Sequence, residues 1–160
     1  MNEELLALLK QIKDQWGRET VAAILKRIDS YPIKWKGTLK RSIIYEQDKT
    51  PDADISFFMA DYGKFVDEGV NGINQSRGSQ FSFRQTSIKG VAYHIKGWAS
   101  SKGIQNPWGV ATNIVKEGIK PRPFFDSVIQ SRINALGEAV TQGIAEYMEN
   151  QVDRLNNSPQ

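Results

Sequence analysis

The sequence predicts an α+β fold: a small antiparallel sheet of about four strands packed against a long N-terminal helix and a long C-terminal helix, with a long flexible insertion loop. Three observations carry this. Apolar residues recur every three or four positions at both ends of the chain, short alternating apolar runs occupy its middle, and Gly, Pro and Asn clusters separate them. With 160 residues at 39% hydrophobic content, the chain suffices for one domain over residues 1–160 with a modest core.

The first helix is expected from Glu3 to about Ser30. Leu5, Leu9, Ile12, Trp16, Ile24 and Ile28 form its stripe, Asn2 is placed to cap it, and Glu3 and Glu4 suit the positive end of the helix dipole. Gly17 leaves open whether it is one piece or two. Leu6, Leu8, Val21 and Leu25 widen the stripe beyond the need of a lone surface helix, so they are the candidates for self-association. Tyr31-Pro32 ends the helix, because the residue before proline is pushed out of the helical region. In the next segment Gly37 permits a tight turn, Thr38 caps a short helical turn, and Ser42 to Tyr45 opens a strand. The connection Asp48–Asp52 leads into a second strand, so Ile43–Glu46 and Ile55–Asp61 are expected to pair antiparallel.

The stretch Asp54–Gly72 is the most specialised. Its first half is aromatic and apolar without Pro or Gly, the composition of a buried strand. Its second half changes period: Tyr62, Phe65 and Val66 share one face of a helical turn, and Lys64, Asp67 and Glu68 the other. Gly69 then releases the chain into an insertion loop over 69–106. Within it, Val70–Gln80 is polar and mobile by composition, Phe81 and Phe83 give a short strand signal, and Val91, Tyr93 and Ile95 alternate as a better strand between Gly90 and Gly97. Asn106 with Pro107 starts a helix ending near Gly118. Pro121-Arg122-Pro123 forces an extended elbow. A helical period then runs from Phe125 to about Leu155, on the order of 45 Å at 1.5 Å per residue, and residues 156–160 should fray.

Net charge is +3, but the charges are segregated. From Gly69 to Lys116 there is no acid, while Arg77, Arg84, Lys89, Lys96, Lys102 and Lys116 all lie there; Asp52, Asp54, Asp61, Asp67 and Glu68 precede them, and Asp126, Glu138, Glu146, Glu149 and Asp153 follow. Such a chain pairs its own halves or meets a neighbour of opposite sign. The chain has no cysteine, which excludes disulfides and thiolate metal sites. No apolar run approaches the roughly 18 residues that span a bilayer, and the N-terminus lacks a signal-peptide core. Chemistry is sparse. The single histidine, His94, has no orienting acid at a catalytic spacing, no metal-ligand spacing is present, and GWASSKG lacks the ending of a phosphate loop. Neither a catalytic residue, a cofactor nor a metal is expected, and the chain is read as no enzyme. Lys34, Lys36, Lys40 and Arg41 around Trp35 leave a second class open, a basic nucleic-acid-binding protein.

Three spaced motifs resemble those of a family of tail-component proteins of long-tailed double-stranded DNA phages, which act in tail completion or at the neck. Gly37-Thr38-Leu39-Lys40-Arg41-Ser42-Ile43 resembles its TGxLxxSI turn, Tyr62 to Gly69, with Phe65 and Val66 inside it, resembles its Y-x-x-[FY]-[VL]-E-x-G segment, and Lys120-Pro121-Arg122-Pro123-Phe124-Phe125 resembles its P-x-[RP]-P-F-[LFM] motif before the last helix. Lys36 stands where the family has an acid, Asp67-Glu68-Gly69 departs from its pattern, and the insert is longer. The resemblance implies a structural virion protein, assembled in the host cytoplasm, that forms a homo-oligomeric ring, six-fold by expectation, at the head-proximal end of the tail. The tail tube protein and the head-tail connector or neck proteins are then its partners. DNA passes nearby without specific binding, and no membrane is involved. An alternative in the same machine is a tail-terminator or tail-tube-like ring subunit. For the partner contact the candidates are Arg77, Phe81, Phe83, Arg84, Lys89, Trp98 and Lys102, as cations and aromatics on an arm that orders on docking.

Overall fold

A computed structural model describes residues 2–32, 36–48 and 54–157. In chain order the elements are α1 (Glu3–Asp29), α2 (Lys36–Ser42), β1 (Ile44–Gln47), β2 (Ile55–Phe58), α3 (Gly63–Glu68), β3 (Val70–Asn71), α4 (Ser87–Ser101), α5 (Pro107–Glu117), β4 (Gly118–Ile119) and α6 (Asp126–Asn156). They form two compact units, one from Met1–Met59 with Phe124–Gln160 and one from Ala60–Pro123. The fold mixes helix and strand, with long helices at both ends, as expected.

In the first unit α1 and α6 pack antiparallel. Asn2 caps α1, its Oδ1 accepting from the Glu4 N–H at 3.0 Å, and its Nδ2 donates to the Tyr147 hydroxyl at 2.6 Å. Arg154 pairs with Glu4 at 3.0 Å, and Leu8 and Ile12 come down on the buried Gly143. At the opposite end the Trp16 indole N–H donates to the Arg132 carbonyl at 2.9 Å, while the Arg132 guanidinium reaches Thr20 and Glu19. A buried tryptophan needs such a partner for its N–H, and this one ties the two helices together.

The hairpin β1–β2 is antiparallel, with Tyr45 opposite Phe57 and Ile44 opposite Phe58. Tyr45 and Phe57 face inward, and Phe57 meets Trp16 edge-on with centroids 5.5 Å apart. Ile44 and Phe58, on the other face, are exposed. α1 runs unbroken through Gly17. A Cβ there would lie 2.6 Å from Tyr45 Cδ2, so the glycine makes room for the tyrosine ring on the helix backbone. The ring's hydroxyl then donates to Asp14 Oδ1 at 2.7 Å. Ile24, Ile28, Leu39, Ile43, Phe124 and Phe125 are all buried, each contributing about 1.5–3 kcal/mol by removal from water.

Several expectations are corrected. The strands do not form one sheet of about four: β1–β2 and β3–β4 are separate antiparallel pairs, the second joining Val70 to Ile119 and Asn71 to Gly118. β2 ends at Phe58 rather than Asp61. The expected strand from Val91 to Ile95 is helix α4, and the insertion 69–106 is therefore not a long loop. Ile88, Val91, Ile95 and Trp98 also fit a helical period, and added Cβ atoms at Gly90 and Gly97 would meet open space, so neither residue interrupts it. Ala92 and Ala99 are its buried residues, as Ala111 and Val115 are those of α5, and side chains this small let the two helices pack closely. Gly37 and Thr38 lie inside α2 rather than in a turn and at a cap, Thr38 Oγ1 accepting from Arg41 at 3.5 Å. Lys34, Trp35 and most of the Asp48–Asp52 connection lie outside the described residues, as do 158–160; α6 is helical through Asn156. Among the described residues no helix is long and apolar enough to cross a membrane.

Burial, and then the hydrogen bond to Asp14, raise the Tyr45 hydroxyl above its ordinary value of 10.0. A raised folded-state value gives stability that is complete below the unfolded value and is lost as pH rises through the folded one. Tyr45→Phe should cost about 1 kcal/mol at neutral pH and flatten the loss of stability above about pH 10, read by urea denaturation across a pH series.

Candidate functional site

The second unit is organised on one backbone junction. Gly69, at the C-terminal end of α3, has φ +73°, and a Cβ on it would lie 2.5 Å from the Ile119 carbonyl oxygen and 2.8 Å from Pro121 N. Only glycine combines this left-handed conformation with so close an approach. One turn back, the Val66 carbonyl accepts from the Arg122 N–H at 3.0 Å. The segments 62–69 and 120–122, read separately in the sequence, are thus in contact.

Asn71 builds the segment that follows. Its Nδ2 donates to the Ser79 carbonyl at 2.6 Å and to Ser82 Oγ at 3.1 Å, and its Oδ1 accepts from the Arg77 and Ser79 N–H groups at 2.6 and 3.2 Å. Its backbone N–H donates to the Phe81 carbonyl at 2.8 Å and its carbonyl accepts from Phe83 at 2.9 Å. The shaped loop covers the end of α5. Ile73 N–H donates to the Val115 carbonyl, Asn74 N–H to that of Lys116, and Arg77 Nε to that of Glu117. Those carbonyls have no partner within their own helix, and a cation there also suits the dipole.

The result is an open apolar groove of about 500 Å³. Tyr62, Phe65 and Val66 come from the α3 corner, Phe81 and Phe83 from the shaped segment, Val91, His94 and Ile95 from α4, and Ile114 and Ile119 from α5 and β4. Phe65 and Phe81 meet edge-on at 4.8 Å, and the Lys64 ammonium stands 5.2 and 5.8 Å from their centroids. Among the described residues no acid lines the groove. His94 meets the Tyr93 ring edge-on at 5.7 Å, and among the described residues no three His, Cys, Asp or Glu side chains converge on a common point.

Of the candidate partner residues, Phe81 and Phe83 line the groove, Arg84, Lys89 and Lys102 are exposed, Trp98 is half-buried, and Arg77 is engaged by Glu117. Val91, Ile95, Ile114 and Lys64 join them without having been singled out. The three-and-four spacing through α4 is the signal that would have found Val91 and Ile95. Asp67, expected on the polar face of α3, is buried. In the first unit Leu6, Leu8, Val21 and Leu25 are half-buried, with Leu8 against Gly143. The most exposed apolar row there is on α6 instead: Ile144, Met148, Val152 and Leu155. No family model matches this chain, and neither the curated proteins nor the solved structures contain a match to it.

Gly69→Ala should destabilise the protein by about 2–4 kcal/mol, since strain and backbone overlap act together, whereas Gly78→Ala, also at positive φ but in open space, should cost about 1 kcal/mol. Chemical denaturation of the two variants checks the contrast. Asn71→Ala removes four side-chain hydrogen bonds and should cost about 2–3 kcal/mol, with faster amide exchange at Arg77 and Ser79 as its local signature.

Proposed function

We propose that this chain is a structural virion protein of a long-tailed phage, assembling as a ring at the head-proximal end of the tail, where the tail is completed and joined to the head. The observation that carries this reading is the junction at Gly69. Two of the three motifs that resemble the tail-component family, distant in sequence, touch through a glycine and a backbone hydrogen bond, which gives their spacing a structural reason. The third, at Gly37–Ile43, contributes the buried Leu39 and Ile43 to the first unit.

The surface also suits assembly rather than turnover. Apolar side chains are exposed in a row on α6, and the second unit carries an apolar groove without acids. On this reading the protein uses no metal or cofactor, its partners are its own copies, the tail tube and the neck proteins, and it works in the virion. A tail-terminator or tail-tube-like ring subunit is the neighbouring role. A nucleic-acid-binding protein draws less support, because Lys40 is paired with Asp29 at 2.7 Å and Arg77 is engaged by a helix end.

A phage lacking this protein should accumulate filled heads and unjoined tails, with infectivity restored by supplying the wild-type chain, and purified virions should show it at the head-proximal tail end by electron microscopy. Infectious particles made without it, or its absence from virions, would overturn the reading. Tight DNA binding that weakens steeply with salt would favour the nucleic-acid alternative.

A further inference from the structure

The exposed apolar row of α6 and the apolar groove of the second unit are complementary in shape class and in charge. Met148, Val152 and Leu155 are 56, 53 and 78% exposed and stand at i, i+4 and i+7, the spacing by which an amphipathic helix anchors in a hydrophobic groove. Glu149 and Asp153 lie on the same turns of α6, and no cation pairs with either carboxylate among the described residues. The groove offers aromatic and aliphatic walls from Phe65, Phe81, Phe83, Val91, Ile95 and Ile114. Lys64 stands over two of those rings, with no carboxylate partner among the described residues. Large contiguous apolar surfaces on a protein mark contact sites, and opposite charge beside each selects which surfaces meet.

We propose that the Met148–Leu155 face of α6 in one copy seats in the second-unit groove of another copy. The inference rests on the ring reading above and names its contact. The two surfaces differ, so each copy donates its α6 face and receives one, and a head-to-tail contact of this kind propagates until rotation closes it into a ring. The acids of α6 then approach Lys64, and the apolar anchors displace water from the groove.

The absence of native cysteine makes crosslinking unambiguous. A His94→Cys preparation mixed with a Val152→Cys preparation and treated with a short bis-maleimide should give a product joining positions 94 and 152, in purified protein or in assembled particles. Adding Lys64→Glu to the first preparation should lower the yield about tenfold, and adding Glu149→Lys with Asp153→Lys to the second should restore it. The contact is overturned if no such product forms in either setting, if its yield ignores these charges, or if it forms only when both cysteines are in one chain. Oligomers that form without this product would leave the ring reading standing and remove only this contact. A protein missing from virions would remove the ring reading itself.

Discussion

The second unit depends on a place where a side chain cannot exist. At Gly69 the backbone turns left-handed against the Ile119 carbonyl and Pro121, so the α3 corner and the extended run after β4 are held at backbone distance. Val66 to Arg122 and the two-residue pairing of β3 with β4 follow from that approach. So does the groove, because Tyr62, Phe65 and Val66 form one of its walls and Ile119 contributes to another. Backbone contact fixes position more tightly than side-chain packing does, since a side chain can change rotamer and a peptide group cannot.

Charge separates the two units in a second way. The ion pairs Arg18–Asp14, Lys40–Asp29, Arg132–Glu19 and Arg154–Glu4 lie within the first unit. The acid-free run from Gly69 to Lys116 supplies none of them. Of the two ways to satisfy segregated charge, internal pairing is thus not used by Arg84, Lys89, Lys96, Lys102 or Lys116, whose long side chains remain in water. Exposed cations of this kind add little to stability and govern which surfaces approach one another.

The first and last helices, the start of α5 and the hairpin were legible because local rules and tertiary packing agree there. Asn2 caps α1 and Asn106 with Pro107 opens α5 as their residue types require, and the hairpin pairs in the expected sense. Helix α4 was not, because Val91, Tyr93 and Ile95 satisfy a two-residue period as well as a helical one, and flanking glycines resembled strand ends. Tyr93, at 77% exposure, shows which period packing selected. Asn71 left no pattern, since one side chain serving backbone groups up to eight residues away is a tertiary fact. Phe81 and Phe83, candidates from composition, line the groove; Arg77 looked equally available, but the carbonyl end of α5 claims it.

The order in which the chain is made gives the two units different histories. Ala60–Pro123 is contiguous and can complete its own contacts soon after leaving the ribosome, whereas the other unit joins a segment made before it to one made after it. Until Arg132 emerges, the Trp16 indole N–H lacks the carbonyl that accepts from it. The α6 of a neighbouring nascent chain is chemically identical to a molecule's own, so exchange of that helix between siblings is the misassembly that a unit split in this way invites.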